Sequence, residues 1–398
     1  MGWHIYCEKI LSILPKNRLL ALDVFRGLTI TAMVLVNNPG SWSYVYPPML
    51  HAQWHGWTPT DLIFPFFVFI VGVSVAIVMN REMAKGTNKL SLIKNASVRA
   101  AKLFGLGLFL ALFYFNVFAA DYSWVESKLM SVRVMGVLQR LGLVFLVTVI
   151  IVLYFGRLGR ALWITGLLLG YWAIMMFIPY SDSNGVVYQG LLQHGNSLAA
   201  WLDNLILGSE HVYYSKAQPF AFDPEGILST FPAVAGALAG VFTGDLLTDK
   251  SRSLINKTKT MLCWGLGLII AGELYGLVFP INKALWTSSF VVMTTGWALL
   301  ILGLLTWLID IKSYKNWSAP FVVFGANAIL FYLFSAVVAR LFMMIPIGNI
   351  SLQGWLYHQV YSPIFGNLNG SLMYAISFLL MSYVVMHVLY KKKIFFKV

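Results

Sequence analysis

The chain has 398 residues, 59% of them apolar and only 11% charged. A soluble domain carries about 25% charged residues, which excludes a string of soluble domains here. The net charge of +13 comes from cations in short clusters between apolar runs, the signature of membrane topology and not of a nucleic-acid surface.

Residues 1–19 read as an amphipathic cytoplasmic segment lying on the membrane surface. The apolar run Ile10 to Leu14 is too short for a signal peptide, and no small-residue cleavage site follows. Tyr6 breaks the myristoylation pattern behind Gly2. With only Cys7, in this basic region, and Cys263, inside an apolar run, no disulfide framework is expected.

Ten apolar stretches then follow, at about 20–38, 61–80, 98–119, 134–155, 159–178, 226–247, 260–279, 286–308, 319–340 and 369–390. Each approaches the ~20 residues a helix needs to cross the hydrocarbon core. Alternate loops carry the cations: Lys9, Lys16 and Arg18, then 81–102, Arg157 and Arg160, 250–259, Lys312 and Lys315, and the tail 391–398. The opposite loops hold Lys128, Lys216 and Lys283. The asymmetry predicts an all-α integral membrane protein of about ten transmembrane helices, both termini cytoplasmic, with one polytopic domain over 20–390. Short basic loops point to a cell inner membrane. Apolar span faces allow a homodimer.

In this topology the stretch from Asn37 to Asp61 lies on the non-cytoplasmic side, as do the long connections 179–225 and 341–368. The 179–225 connection is expected to form a lid or substrate-facing segment, and Leu352 to Tyr361 a short re-entrant or surface helix. Asn37 and Asn38 close the first span before Pro39 and Gly40. An asparagine there either caps the helix or donates to a carbonyl gaining negative charge. His51 and His55 are four apart. Pro47 and Pro48 oppose a settled helix and no third ligand is evident, so no metal is expected. Neutral imidazole is poised for general-base work. Thr58 and Pro59 suit a helix start, and Asp61 suits its first turn as well as it suits catalysis.

Charged residues inside spans mark functional sites by default. Asp23 and Arg26 share a helix face, and Arg140 and Glu273 lie in apolar surroundings, Glu273 expected to pair with a cation. Asp223 and Glu225 bring two carboxylates to the His51 side, where a cationic amine would need them. With Asn282, Lys283, Trp286 and Asn327 they imply a polar cavity through the bundle.

Six stretches, LDVFRGLTITAMVLVNN, HAQWHGWTPTDLIFPFFVFIVGVS, RVMGVLQRLG, FDPEGILSTFPAV, NKALWTSSFVV and GANAILFYL, run from the first span to the ninth. Together they resemble the heparan-α-glucosaminide N-acetyltransferase family of transmembrane acyltransferases, in its shorter bacterial form. The resemblance implies transfer of acetyl from cytoplasmic acetyl-CoA to the amine of a glucosamine-type sugar across the membrane. It maps the catalytic histidine onto His51, the asparagine ending the first span onto Asn37, and the aspartate before F-P-F onto Asp61. It carries no role onto His55, which stands where the family often has asparagine. Arg26, Arg140, Asn327 and Trp286 are the expected acetyl-CoA contacts, and Asp223, Glu225, Trp54, Asn282 and Lys283 the expected acceptor contacts. His51 either takes the amine proton or carries the acetyl group covalently. A sugar transporter and an O-acyltransferase of envelope polysaccharide are the alternative readings.

Overall fold

The computed structural model describes residues 2–13 and 19–396; Lys16, Arg18 and Lys397 lie outside them. The chain is a bundle of long apolar helices: α1 (Trp3–Leu11), α2 (Leu20–Asn37), α3 (Ile63–Ala84), α4 (Lys89–Leu112), α5 (Val137–Tyr154), α6 (Arg157–Phe177), α7 (Leu198–Leu207), α8 (Thr230–Thr248), α9 (Leu254–Gly276), α10 (Ser288–Leu305), α11 (Ala319–Ala326), α12 (Ala328–Met344), α13 (Leu352–Trp355), α14 (Ser362–Phe365) and α15 (Asn367–Lys391). Among the described residues, strand structure is three two-residue hairpins and one isolated bridge between Tyr214 and Phe222.

Among the described residues, eight helices are long and apolar enough to cross a membrane, or nine if a bent pair is counted as one span. The seventh expected span, 260–279, falls on α9, which packs along α10. Lys257, Lys259 and Glu273 leave α9 less apolar than the others. The ninth expected span, 319–340, is not one helix. It breaks at Asn327 with a 74° bend between its halves. The third begins at Lys89, ahead of the expected 98, because Asn88 caps it by accepting from the Leu90 amide at 2.8 Å.

Close backbone approach sets the packing. Gly236, Gly240 and Gly244 recur every fourth residue along α8, which packs against α3. A Cβ on Gly240 would lie 2.1 Å from the Phe69 carbonyl oxygen, and one on Gly72 would lie 1.8 Å from that of Ala237. Small residues let two helices gain dispersion contact where lipid offers no hydrophobic drive to associate.

The two chain ends meet at one end of the bundle. The Tyr390 hydroxyl donates to the Ile10 carbonyl at 3.2 Å. Asn327 accepts from the Phe396 amide and donates to the Ile394 carbonyl, both at 2.9 Å. At the other end lie the loops 38–62, 178–229 and 277–287, which the helix directions bring together.

Candidate active site

These loops enclose a cavity of about 280 Å³. Its lining includes Asn37, His51, Trp54, Asp61, Glu225 and Lys283, six of the expected site residues drawn from four separate segments. Arg133, Tyr213 and Tyr214 add to the polar part of the wall, with Gln53 and Thr60.

Asp61 is placed by the start of α3. Pro59 sets the backbone of the first turn, and the Thr58 amide donates to Asp61 Oδ2 at 2.9 Å, half of a reciprocal capping box. The Ala52 amide donates to the same oxygen at 3.0 Å. Oδ1 lies 2.7 Å from His51 Nδ1. A carboxylate can only accept, so Nδ1 carries the hydrogen and Nε2 keeps its lone pair. Asp61 is 1% exposed while the His51 side chain is 52% exposed, at a cavity that both line.

Of the two asparagines at the end of α2, Asn38 turns back and donates to the Val34 carbonyl at 2.7 Å. That leaves the Asn37 side chain to line the cavity. Lys283 Nζ stands 3.0 Å from His51 Nε2 and 3.1 Å from Nδ1, with Asp61 Oδ1 3.9 Å away. Burial pushes the Lys283 pKa down, against the opposing charges of Glu225 and Asp61.

Asp223 and Glu225 bring their own cation. Arg133 grips Asp223 with Nε and Nη2, at 2.7 and 2.6 Å, and Glu225 with Nη2 at 2.5 Å. Burial alone would lower the arginine's pKa; the two carboxylates outweigh it and raise it. Glu225 is held below its ordinary value, Arg133, Arg140 and Lys283 overcoming the opposite effect of its burial. Beneath them, Asp203 Oδ1 accepts from the Ile227 amide at 2.9 Å and Oδ2 from that of Asp223 at 3.2 Å. Burial pushes the Asp203 pKa up to about 7.

The remaining expected site residues stand outside the cavity lining. Asn282 fastens two loops, donating to the Trp54 carbonyl at 2.8 Å and accepting from the Leu285 amide at 2.9 Å. Arg140 is fully buried behind the wall, donating to Ser229 and stacked 4.9 Å over Trp286. Trp286 has φ 50°, a left-handed value rare for a bulky residue, in the turn before α10. Arg26 bonds Ser74 at 3.0 Å and pairs with Asp23 at 3.5 Å, and Asn327 is occupied by the C-terminal segment. Glu273 accepts from the Trp57 indole at 2.9 Å, in place of the expected cation. His51 and His55 face different partners, Asp61 and Asn282.

Arg133, Tyr213 and Tyr214 are not among the site residues expected from the sequence. Arg133 lies 90 positions from Asp223, and no local pattern announces a partner that distant.

Fold and site define a multi-pass membrane protein with a histidine–carboxylate pair opening into a polar cavity. Residues 18–279 match the family model described as heparan-alpha-glucosaminide N-acetyltransferase, catalytic. Two curated proteins named heparan-alpha-glucosaminide N-acetyltransferase are similar along most of the chain. The one from Mus musculus is 30% identical, covering 96% of this chain and 61% of its own length. The one from Homo sapiens is 30% identical, covering 81% and 53%. The chain belongs to the heparan-alpha-glucosaminide N-acetyltransferase family. It spans little more than half the length of these relatives.

Proposed function

We propose that this protein transfers acetyl from acetyl-CoA to the amine of a glucosamine-type sugar, with His51 as general base. The observation that carries the reading is the 2.7 Å contact between His51 Nδ1 and the buried Asp61, which leaves Nε2 as the ring's lone-pair nitrogen, beside Lys283 Nζ, at a cavity also lined by Asn37. The name of the two relatives supports the acceptor class.

The acceptor nitrogen attacks the thioester carbonyl carbon while His51 Nε2 takes its proton. Asn37 donates to the carbonyl oxygen as it becomes an oxyanion. The tetrahedral centre collapses, the carbon–sulfur bond breaks, and the sulfur leaves with the proton held by the imidazole. Lys283 Nζ stands 3.0 Å from Nε2 and 3.1 Å from Nδ1, so its side chain swings aside for an acceptor nitrogen to reach Nε2. Glu225, fixed by Arg133, offers an acceptor to the sugar's ammonium or hydroxyl groups.

The donor's thioester arm would reach the site between α2, α3, α5 and α12. A small apolar cavity of about 30 Å³ lies there, and Met33, Phe64 and Val137 border it and the main cavity alike. The reading places the cavity on the non-cytoplasmic face of a cell inner membrane and the donor's nucleotide on the other. The basic clusters at the opposite end of the bundle support that orientation.

The test is acetyl transfer by detergent-purified protein with acetyl-CoA and glucosamine. His51→Ala should lower turnover by about 10²–10⁴-fold while acetyl-CoA affinity holds. Undiminished turnover in that variant would overturn the assignment of His51. Product from N-acetylglucosamine would redirect the chemistry to O-acylation.

A further inference from the structure

A second and larger cavity, of about 580 Å³, lies between α6, α8, α9 and α10 and shares no lining residue with the first. Its wall is almost wholly apolar, with Leu168, Ala239, Leu268 and Val291 along its length. Three threonines interrupt it, and the charged groups gather at one end, where Arg157 opens α6 and Arg252 precedes α9. That is the end of the bundle away from His51.

Three features identify an occupant. The groove runs along α6 from Arg157 to Leu168, about 16 Å at the helical rise. That is half of a ~30 Å hydrocarbon core, the depth of one leaflet. The apolar part can satisfy no polar ligand, since only Thr243, Thr260 and Thr295 interrupt it. And the charged end sits where a headgroup would sit. Arg252 Nε is 3.5 Å from Asp249, whereas Arg157 makes no ion pair among the described residues and lies over the Phe242 ring. Basic pockets between transmembrane helices at the cytoplasmic level suit anionic headgroups.

We propose that this groove is a binding site for one anionic phospholipid, an acyl chain lying between α6 and α9 and its phosphate held by Arg157 and Arg252. The nucleotide donor is the competing occupant, and it fits poorly: its arm carries amides that this wall cannot satisfy.

The experiment is native mass spectrometry of the full chain released from nanodiscs of mixed phosphatidylglycerol and phosphatidylcholine. Wild type should retain phosphatidylglycerol at about one per chain. The double variant Arg157→Gln/Arg252→Gln, at two exposed positions, should retain it roughly tenfold less or lower, with phosphatidylcholine unchanged. Ala239→Phe, which fills the groove and leaves the arginines in place, should lower retention as well. Equal retention in the arginine variant would overturn the proposal. So would unchanged lipid together with weakened acetyl-CoA binding, which would give the groove to the donor.

Discussion

Asp61 divides its carboxylate between two tasks. Oδ2 accepts from the Ala52 and Thr58 amides and shapes the entry to α3, while Oδ1 holds His51. Asp61→Asn therefore separates folding from catalysis. An asparagine that keeps the cap presents its NH2 group to Nδ1 and favours the wrong tautomer. Transfer should fall by about 10²–10⁴-fold, as for an imidazole without its orienting carboxylate. The cost in stability should be only about 1 kcal/mol. Turnover measured beside a thermal melt checks both. Arg133 poses the reverse case. It neutralises two carboxylates at once, and Arg133→Ala strands them both. A buried pair broken on one side costs roughly 3–5 kcal/mol. The melting temperature in detergent should drop sharply and be partly restored by adding Asp223→Asn and Glu225→Gln. A melt unchanged by Arg133→Ala would count against the network as a structural element.

At the scale of elements, α3 and α8 touch backbone to backbone through glycines. Gly240→Leu must push the helices apart, since its first side-chain atom alone would lie 2.1 Å from a carbonyl oxygen that cannot rotate away. Overpacking of this kind costs about 1–3 kcal/mol or more. Because α3 carries Asp61 at its start and α8 follows directly on Glu225, the substitution should also lower transfer. Gly166→Leu, where a Cβ meets nothing within 4 Å, is the control and should change neither melt nor activity. The break between α11 and α12 has a comparable logic: the Asn327 side chain bonds the C-terminal segment twice, giving that end of the chain a fixed seat beside α1.

For the whole molecule, the two ends of the chain share one end of the bundle and the histidine site occupies the other. An even number of crossings follows, with α9 completing the set. The orientation makes a prediction about labelling. In cells whose native Cys263 is replaced, Lys216→Cys should react with a membrane-impermeant maleimide from outside. Lys250→Cys should react only after permeabilisation. The opposite pattern would invert the protein in its membrane.

The sequence by itself determined the membrane class and nearly every span, and it set the expectation for the side of each loop. These rest on local quantities, namely apolar length and the counts of lysine and arginine between runs. It also put forward Asn37, His51 and Asp61, each beside a local alternative, and the family resemblance chose among them. Only the tertiary structure decided what each polar group touches. It gave Asp223 and Glu225 to Arg133, Arg140 to the wall behind Trp286, Asn327 to the C-terminal segment and Glu273 to Trp57. It bent the ninth span and brought Lys283 onto His51 from 232 positions away. The physical reason is that a buried polar group must find a partner wherever the fold brings one. Hydropathy says that a group is buried, and only the packing of helices far apart in the chain says what it meets.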